Sequence, residues 1–329
     1  MGPESSSTTE ELMTNENPYV DTATNVFLDG FRNGLSGVLD VSGKFDHRTK
    51  VLKASGGYSH VYVAYCEVVP GTPRIQVCYK ELRPGASNAP EQIWGTRKMV
   101  KHLTQEVKIW KDLKHPNIIE FIGYAIEGER SEERAILISK WCKNGDVVEY
   151  LRTHPDSSRI QLLRDMANGL HYLHSQEPAI VHGDLKPQNV LINDQGMAQL
   201  CDFGLSRAMN EVSRIIKTST VFGCTIRYSA PEVIIEEIKT MKSDIYAFGC
   251  TSIQIWFGQH PFPRITNDQR LFDAIGKYQA PWMWDSKMPL ERILSLCCQA
   301  HQEDRPSIRD ILQQLDNPLI YDLRRVQLA

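Results

Sequence analysis

The stretch VHGDLKPQNVL, Val181 to Leu191, sets an aspartate, a lysine and an asparagine (Asp184, Lys186 and Asn189) between apolar flanks. In CDFGLSR, Cys201 to Arg207, a second carboxylate, Asp202, stands thirteen positions after Asn189 and is followed by a turn-forming glycine. Two aspartates and an asparagine brought to one place suit phosphoryl transfer, whose catalysis is mostly positioning and charge neutralisation. One carboxylate serves the attacking hydroxyl, while a carboxylate and an amide oxygen serve magnesium. Gly183, between the histidine and the first aspartate, asks for its own explanation.

Outward from this stretch the chain divides in two. Between Thr49 and Trp141 it reads as strands rich in β-branched and aromatic residues (VYVAY, IQVCY, AILIS), interrupted by one helical stretch from about Thr96 to Leu113. After Gly145 helices dominate: Leu163, Met166, Leu170 and Leu173 form a stripe at helical spacing, with Ser157 and Ser158 as possible caps before it. The boundary falls at KWCKNGD, which gives a small β-rich unit over 49–142 and a helical one over 143–318. Residues 1–22 are polar and are expected to form a disordered tail, and 319–329 a C-terminal tail. In the lead-in segment 23–48, Phe27, Phe31 and Leu35 recur every four residues, one face of a short helix whose partner the sequence does not reveal.

Composition narrows the function classes. The 37 basic and 40 acidic residues of this 329-residue chain are mixed and leave a formal charge of −3, so no basic field invites nucleic acid. The eight cysteines show no zinc-binding spacing, which points to a reduced, intracellular and so cytoplasmic protein. The first residues lack the basic start and apolar run of a secretory signal and no stretch has the apolar length of a membrane span, so neither a secretory signal nor a transmembrane segment is expected; YAFGCTSIQIWFG, Tyr246 to Gly258, reads as a buried helix. The N-terminal MGPESS fits the myristoylation pattern in letter, but no polybasic segment follows it.

HGDLKPQN, DFG and APE (Ala230 to Glu232), in that order, resemble the catalytic loop, metal-binding loop and activation-segment end of the eukaryotic protein kinases, over about Val51 to Leu315. The resemblance implies a two-lobed α+β fold, a small antiparallel β lobe with one helix and a larger helical lobe, using ATP and Mg2+. It implies that Asp184 orients the acceptor hydroxyl, that Lys186 steadies the transferring phosphate, and that Asn189 and Asp202 hold magnesium. In ASGGYSHV, with Val61 at the valine position, Ala54, Gly56 and Ser59 stand at the three glycine positions of the phosphate loop, and Gly57 lies beside the surviving one. VCYK places Cys78 and Lys80 on the next strand, and QEVKIWKDLKHPNII resembles the helix whose Glu106 pairs with that lysine. LISKWCKNGD resembles the hinge, with Ser139 as gatekeeper and the backbones of Lys140 and Cys142 binding adenine. Leu191 completes the implied nucleotide site. Asp244 would anchor the catalytic loop, Arg305 would pair with Glu232, and Phe203, His182, Trp110 and Phe121 would stack as a spine.

Lys186, and Thr225 ahead of Tyr228, are similar to the serine/threonine members of that family, while SDIYAFG and DRPSIRDIL look like its tyrosine-kinase-like branch. Protein substrates with serine or threonine acceptors follow. Where relatives carry His-Arg-Asp, this chain has Gly183, which offers no guanidinium to a phosphate on the segment holding Ser213, Thr218, Ser219 and Thr220. Two alternatives stay open: a pseudokinase acting as a nucleotide-binding or scaffolding module, and a kinase-like enzyme for small molecules.

Overall fold

Buried apolar residues on the N-terminal strands build one face of a sheet. A computed structural model describes residues 18–55, 59–82, 90–128, 133–203, 226–317 and 320. Strands β1 (Phe45–Ser55), β2 (Ser59–Cys66), β3 (Ile75–Leu82), β4 (Phe121–Glu127) and β5 (Arg134–Lys140) pair antiparallel in the order β1-β2-β3-β5-β4. Phe45, Ala64, Val77, Tyr79, Ile136 and Ile138 close a small core on one face. Two strands escape the sequence reading. The polar β1, FDHRTKVLKAS, is largely exposed, and β4, FIGYAIE, is interrupted by Gly123.

Helix α1 (Pro18–Gly34) begins inside the segment expected as tail, and α2 (Pro90–Asp112) begins six residues ahead of the expected Thr96. Each starts on a proline, whose fixed φ suits a first helical position and whose missing N–H costs nothing there. The sheet likewise starts at Phe45, ahead of the boundary expected at Thr49.

Beyond the hinge the chain is helical. Helix α3 (Val147–Thr153) is capped by Asp146, whose side chain accepts from Val148 N and Glu149 N. Helix α4 (Arg159–His174) is capped by Ser158, and its stripe of Leu163, Met166, Leu170 and Leu173 is 0% exposed. A hairpin of β6 (Val190–Ile192) and β7 (Ala198–Leu200) follows the catalytic loop. Then come α5 (Pro231–Ile235), α6 (Met241–Phe257), α7 (Asp268–Gly276), α8 (Pro289–Cys297) and α9 (Ile308–Leu315). Helix α6 opens with a Thr240/Ser243 capping box and is buried from Ser243 to Ile255, so its all-round apolar character marks the centre of the lobe. Among the described residues no helix is long and apolar enough to cross a membrane. The result is the two-lobed α+β architecture, with the catalytic stretch between the lobes.

Candidate active site

The loop that carries Asp184 is held from below by one carboxylate. Asp244, 1% exposed in the first turn of α6, accepts from His182 N and Gly183 N at 2.8 Å each. His174, at the end of α4, approaches the same carboxylate at 2.9 Å through Nε2. Gly183 itself has φ +74°, a left-handed conformation that only glycine adopts without strain. This local reason for a glycine adds to the loss of the guanidinium.

Above this anchor the catalytic groups converge. The Asp184 carboxylate accepts from Lys186 Nζ at 2.8 Å and from Asn189 Nδ2 at 3.1 Å, and Asn189 Nδ2 also donates to Asp184 O at 2.7 Å. Asn189 O accepts from Cys201 N at 3.0 Å, which ties the residue before Asp202 to the catalytic loop. Asp202 takes the left-handed φ of +58° and accepts from Lys80 Nζ at 2.6 Å. Burial pushes the Asp202 carboxyl up, but the charge and hydrogen bond of Lys80, with Lys186 and His182, outweigh it and hold the group below its ordinary pKa. Burial likewise pulls Lys80 down, and Asp202 more than offsets it. An ionised carboxylate on Asp202 and an amide oxygen on Asn189 are the hard oxygen donors magnesium takes, so the residues fit that ion.

The expected partner of Lys80 was Glu106. Lys80 instead pairs with Asp202, and no Lys80–Glu106 ion pair is found among the described residues. Glu106 lies partly buried on α2, and its charge acts on Lys239. The stack of rings is present: Trp110 lies 4.9 Å from Phe121 and 5.7 Å from Phe203, and Phe203 lies 6.2 Å from His182. Trp110 also donates through Nε1 to Ile119 O at 2.8 Å.

The described residues among those implied for the nucleotide stand on β2, β3, the hinge and β6. Val61 of β2 pairs with Lys80, and Cys78 of β3 pairs with buried Ser139. Lys140 is exposed, with its N–H donated to Glu120 O. Cys142 is buried and Leu191 sits partly buried on β6. Burial raises the Cys78 thiol to about 11 and that of Cys142 to about 12, and it carries Cys201 well above its ordinary value, so all three stay protonated packing residues at neutral pH. Gly56 and Gly57 of the phosphate loop, Thr225 and the segment 204–225 lie outside the described residues.

Two participants had no signal in the sequence reading. His174 reaches Asp244 across 70 residues of chain. Half-buried Lys239 stands in the field of Asp184, Asp244 and Glu106; burial lowers its pKa, although those three carboxylates oppose the change. Nothing in the local pattern around either residue distinguishes it from a surface position.

A β lobe over a helical lobe, with an ionised aspartate, an amide and a lysine-held aspartate at the seam, defines a phosphoryl-transfer fold. The family model for protein tyrosine and serine/threonine kinases matches residues 49–315, and the chain belongs to that family. It is similar to the mitogen-activated protein kinase kinase kinase MST11 of Pyricularia oryzae, 28% identical over 243 residues, 70% of this chain and 25% of that protein. It is also similar to the probable serine/threonine-protein kinase WNK9 of Oryza sativa subsp. japonica, 28% identical over 265 residues, 77% of this chain and 61% of that one. Ephrin type-A receptor 8 of Homo sapiens is 28% identical over 252 residues, 73% of this chain and 24% of the receptor. The chain thus spans less than two thirds of the length of each of these relatives. Membership of the family implies use of ATP and Mg2+.

Proposed function

We propose that this chain is an active protein kinase that transfers the γ-phosphate of ATP to serine and threonine hydroxyls of protein substrates, in the tyrosine-kinase-like branch of the family. The observation that carries the reading is the Asp184 carboxylate held by both Lys186 and Asn189. In that position Asp184 orients the acceptor hydroxyl and takes its proton, and Lys186, two residues on, neutralises charge that builds on the transferring group. Asn189 and Asp202 would hold magnesium, which when bound neutralises phosphate charge. Lys80 would turn from Asp202 to the α- and β-phosphates, and the hinge backbone at Lys140 and Cys142 would receive the adenine. The position of Lys186 and the serine/threonine names among the relatives support the choice of acceptor. The mixed charge and the cysteines held as thiols are consistent with work in the cytoplasm.

The test is transfer of labelled phosphate from Mg·ATP to a generic protein substrate, followed by phosphoamino-acid analysis, for wild type and Asp184→Asn. Phosphoserine and phosphothreonine are expected from wild type, with a loss of about a hundredfold or more in the variant. Predominant phosphotyrosine would overturn the acceptor assignment, and undiminished transfer by the folded variant would overturn the role of Asp184. A wild-type protein that binds nucleotide yet transfers nothing would be a pseudokinase.

A further inference from the structure

The helix ahead of the kinase domain has found its partner. Phe27, Leu28, Phe31 and Leu35 are 0–2% exposed and belong to the main core, together with Val100, Leu103 and Val107 of α2 and Tyr124 and Leu137 of the sheet. The Phe31 ring meets Tyr124 edge-on at 5.6 Å. Two glycines set how closely α1 approaches α2. A Cβ at Gly30 would lie 2.9 Å from Val100 Cγ1, and one at Gly34 would lie 2.6 Å from Thr104 Cγ2. Position 30 meets 100 and position 34 meets 104, so the helices run parallel, in contact over a full turn, with glycine backbone against side chains. Packing this close leaves no room for even one methyl group.

The other end of this element is fixed to the sheet. Tyr124 N donates to Leu39 O and Val41 N donates to Tyr124 O, each at 2.9 Å, which lays the residues after α1 parallel to β4. Gly123 admits that strand, because a Cβ there would lie 2.4 Å from Leu39 O. Ser42 Oγ accepts from Ile126 N, and Glu127 accepts from Gly43 N. Towards its C-terminal end α2 carries Trp110 against Phe203, the neighbour of Asp202. A continuous line of packed groups therefore runs from β4 through α1 and α2 to the metal-binding aspartate.

We infer that α1 is a positioning element for the active site: it sets where α2 stands, and through Trp110 and Phe203 where Asp202 stands. Gly30 and Gly34 are its positioning residues. This rests on the kinase reading above. Packed interiors answer a displaced element by shifting as a unit, and a misplacement of about 1 Å at a reacting group costs about a hundredfold in rate.

The experiment uses the full chain. Gly34→Ala forces α1 and α2 apart and should lower kcat at least tenfold while KM for ATP stays within about threefold, because Val61, Cys78 and the hinge are untouched. Gly30→Ala should lower kcat several-fold. Val100 is β-branched and its rotamer is fixed in a helix, so it cannot swing aside. Val100→Ala removes the offending methyl and leaves the nearest atom, Val100 Cβ, at an ordinary 3.7 Å, so the double variant should recover wild-type kcat within about twofold. A structural role alone would lower the melting temperature and the amount of folded protein without the kcat-against-KM split or the rescue. A folded Gly34→Ala protein with wild-type kcat, or a Gly30→Ala defect deepened by Val100→Ala, would overturn the inference. Hydrogen exchange separates it from the kinase reading. If wild type transfers no phosphate, faster exchange in residues 100–112 of Gly34→Ala, with α6 unchanged, would still establish that α1 places α2, and unchanged exchange would refute it.

Discussion

Asp244→Asn is the substitution whose cost follows most directly from the geometry. The carboxylate offers one oxygen to Gly183 N and the other to His182 N and His174 Nε2. An asparagine keeps one acceptor oxygen, so its NH2 must face at least one of these buried donors. A buried donor left without an acceptor costs about 1–3 kcal/mol, and each hydrogen bond lost to a charged group contributes about 1.5–3 kcal/mol. The sum is about 2.5–6 kcal/mol, a large share of the roughly 5–15 kcal/mol that separates folded from unfolded domains. Because the same carboxylate fixes the backbone next to Asp184, kcat should fall about a hundredfold even in the molecules that stay folded. Urea titration followed by circular dichroism reads the first effect, and initial rates at saturating ATP, corrected for the folded fraction, read the second. A stability loss below about 1 kcal/mol with kcat within twofold of wild type would refute the view that this carboxylate suspends the catalytic loop.

Four further outcomes are expected. Gly183→Arg, which places a side chain at φ +74°, should cost about 1 kcal/mol of stability in urea. For the same position, phosphatase-treated wild type should keep its initial rate, and a loss of about a hundredfold, or about 2.7 kcal/mol of barrier, would show that another cation serves a phosphorylated segment. Arg305, which binds Glu232 at 2.5 and 2.9 Å and donates to three backbone carbonyls, is 1% exposed; Arg305→Met should cost about 3–5 kcal/mol, and a urea midpoint near that of wild type would contradict it. His182 is wholly buried, and its burial lowers its pKa. The unfolded chain therefore takes up a proton below about pH 6.5 that the folded state refuses, and stability should fall by up to about 1.4 kcal/mol per pH unit below that point. His182→Leu should flatten the pH dependence of the urea midpoint between pH 6.5 and 5, and an unchanged slope would assign it to other groups.

What the sequence determined by itself is what short spacing can carry. Asp184, Lys186 and Asn189 share one loop, so their hydrogen bonds close over two to five residues and the chemistry is legible in HGDLKPQN. Strands β2, β3 and β5 show in their β-branched runs, and α4 shows in its apolar stripe and Ser158 cap. Periodicity names a buried face but never its partner. Phe27, Phe31 and Leu35 announced a helix face, and only the tertiary structure set it on α2, where Gly30 and Gly34 allow the approach. β1 was hidden by its polar, exposed residues, and β4 by Gly123, whose purpose is room for Leu39 O from a distant segment. Lys80 had two carboxylates within its family's pattern, and its choice of Asp202 over Glu106 depends on where α2 and the loop carrying Asp202 come to rest. His174 under Asp244 and Lys239 in the field of Asp184 belong to the same class, because charges separated by tens of residues come to act on one another only when the packing of whole helices brings them together.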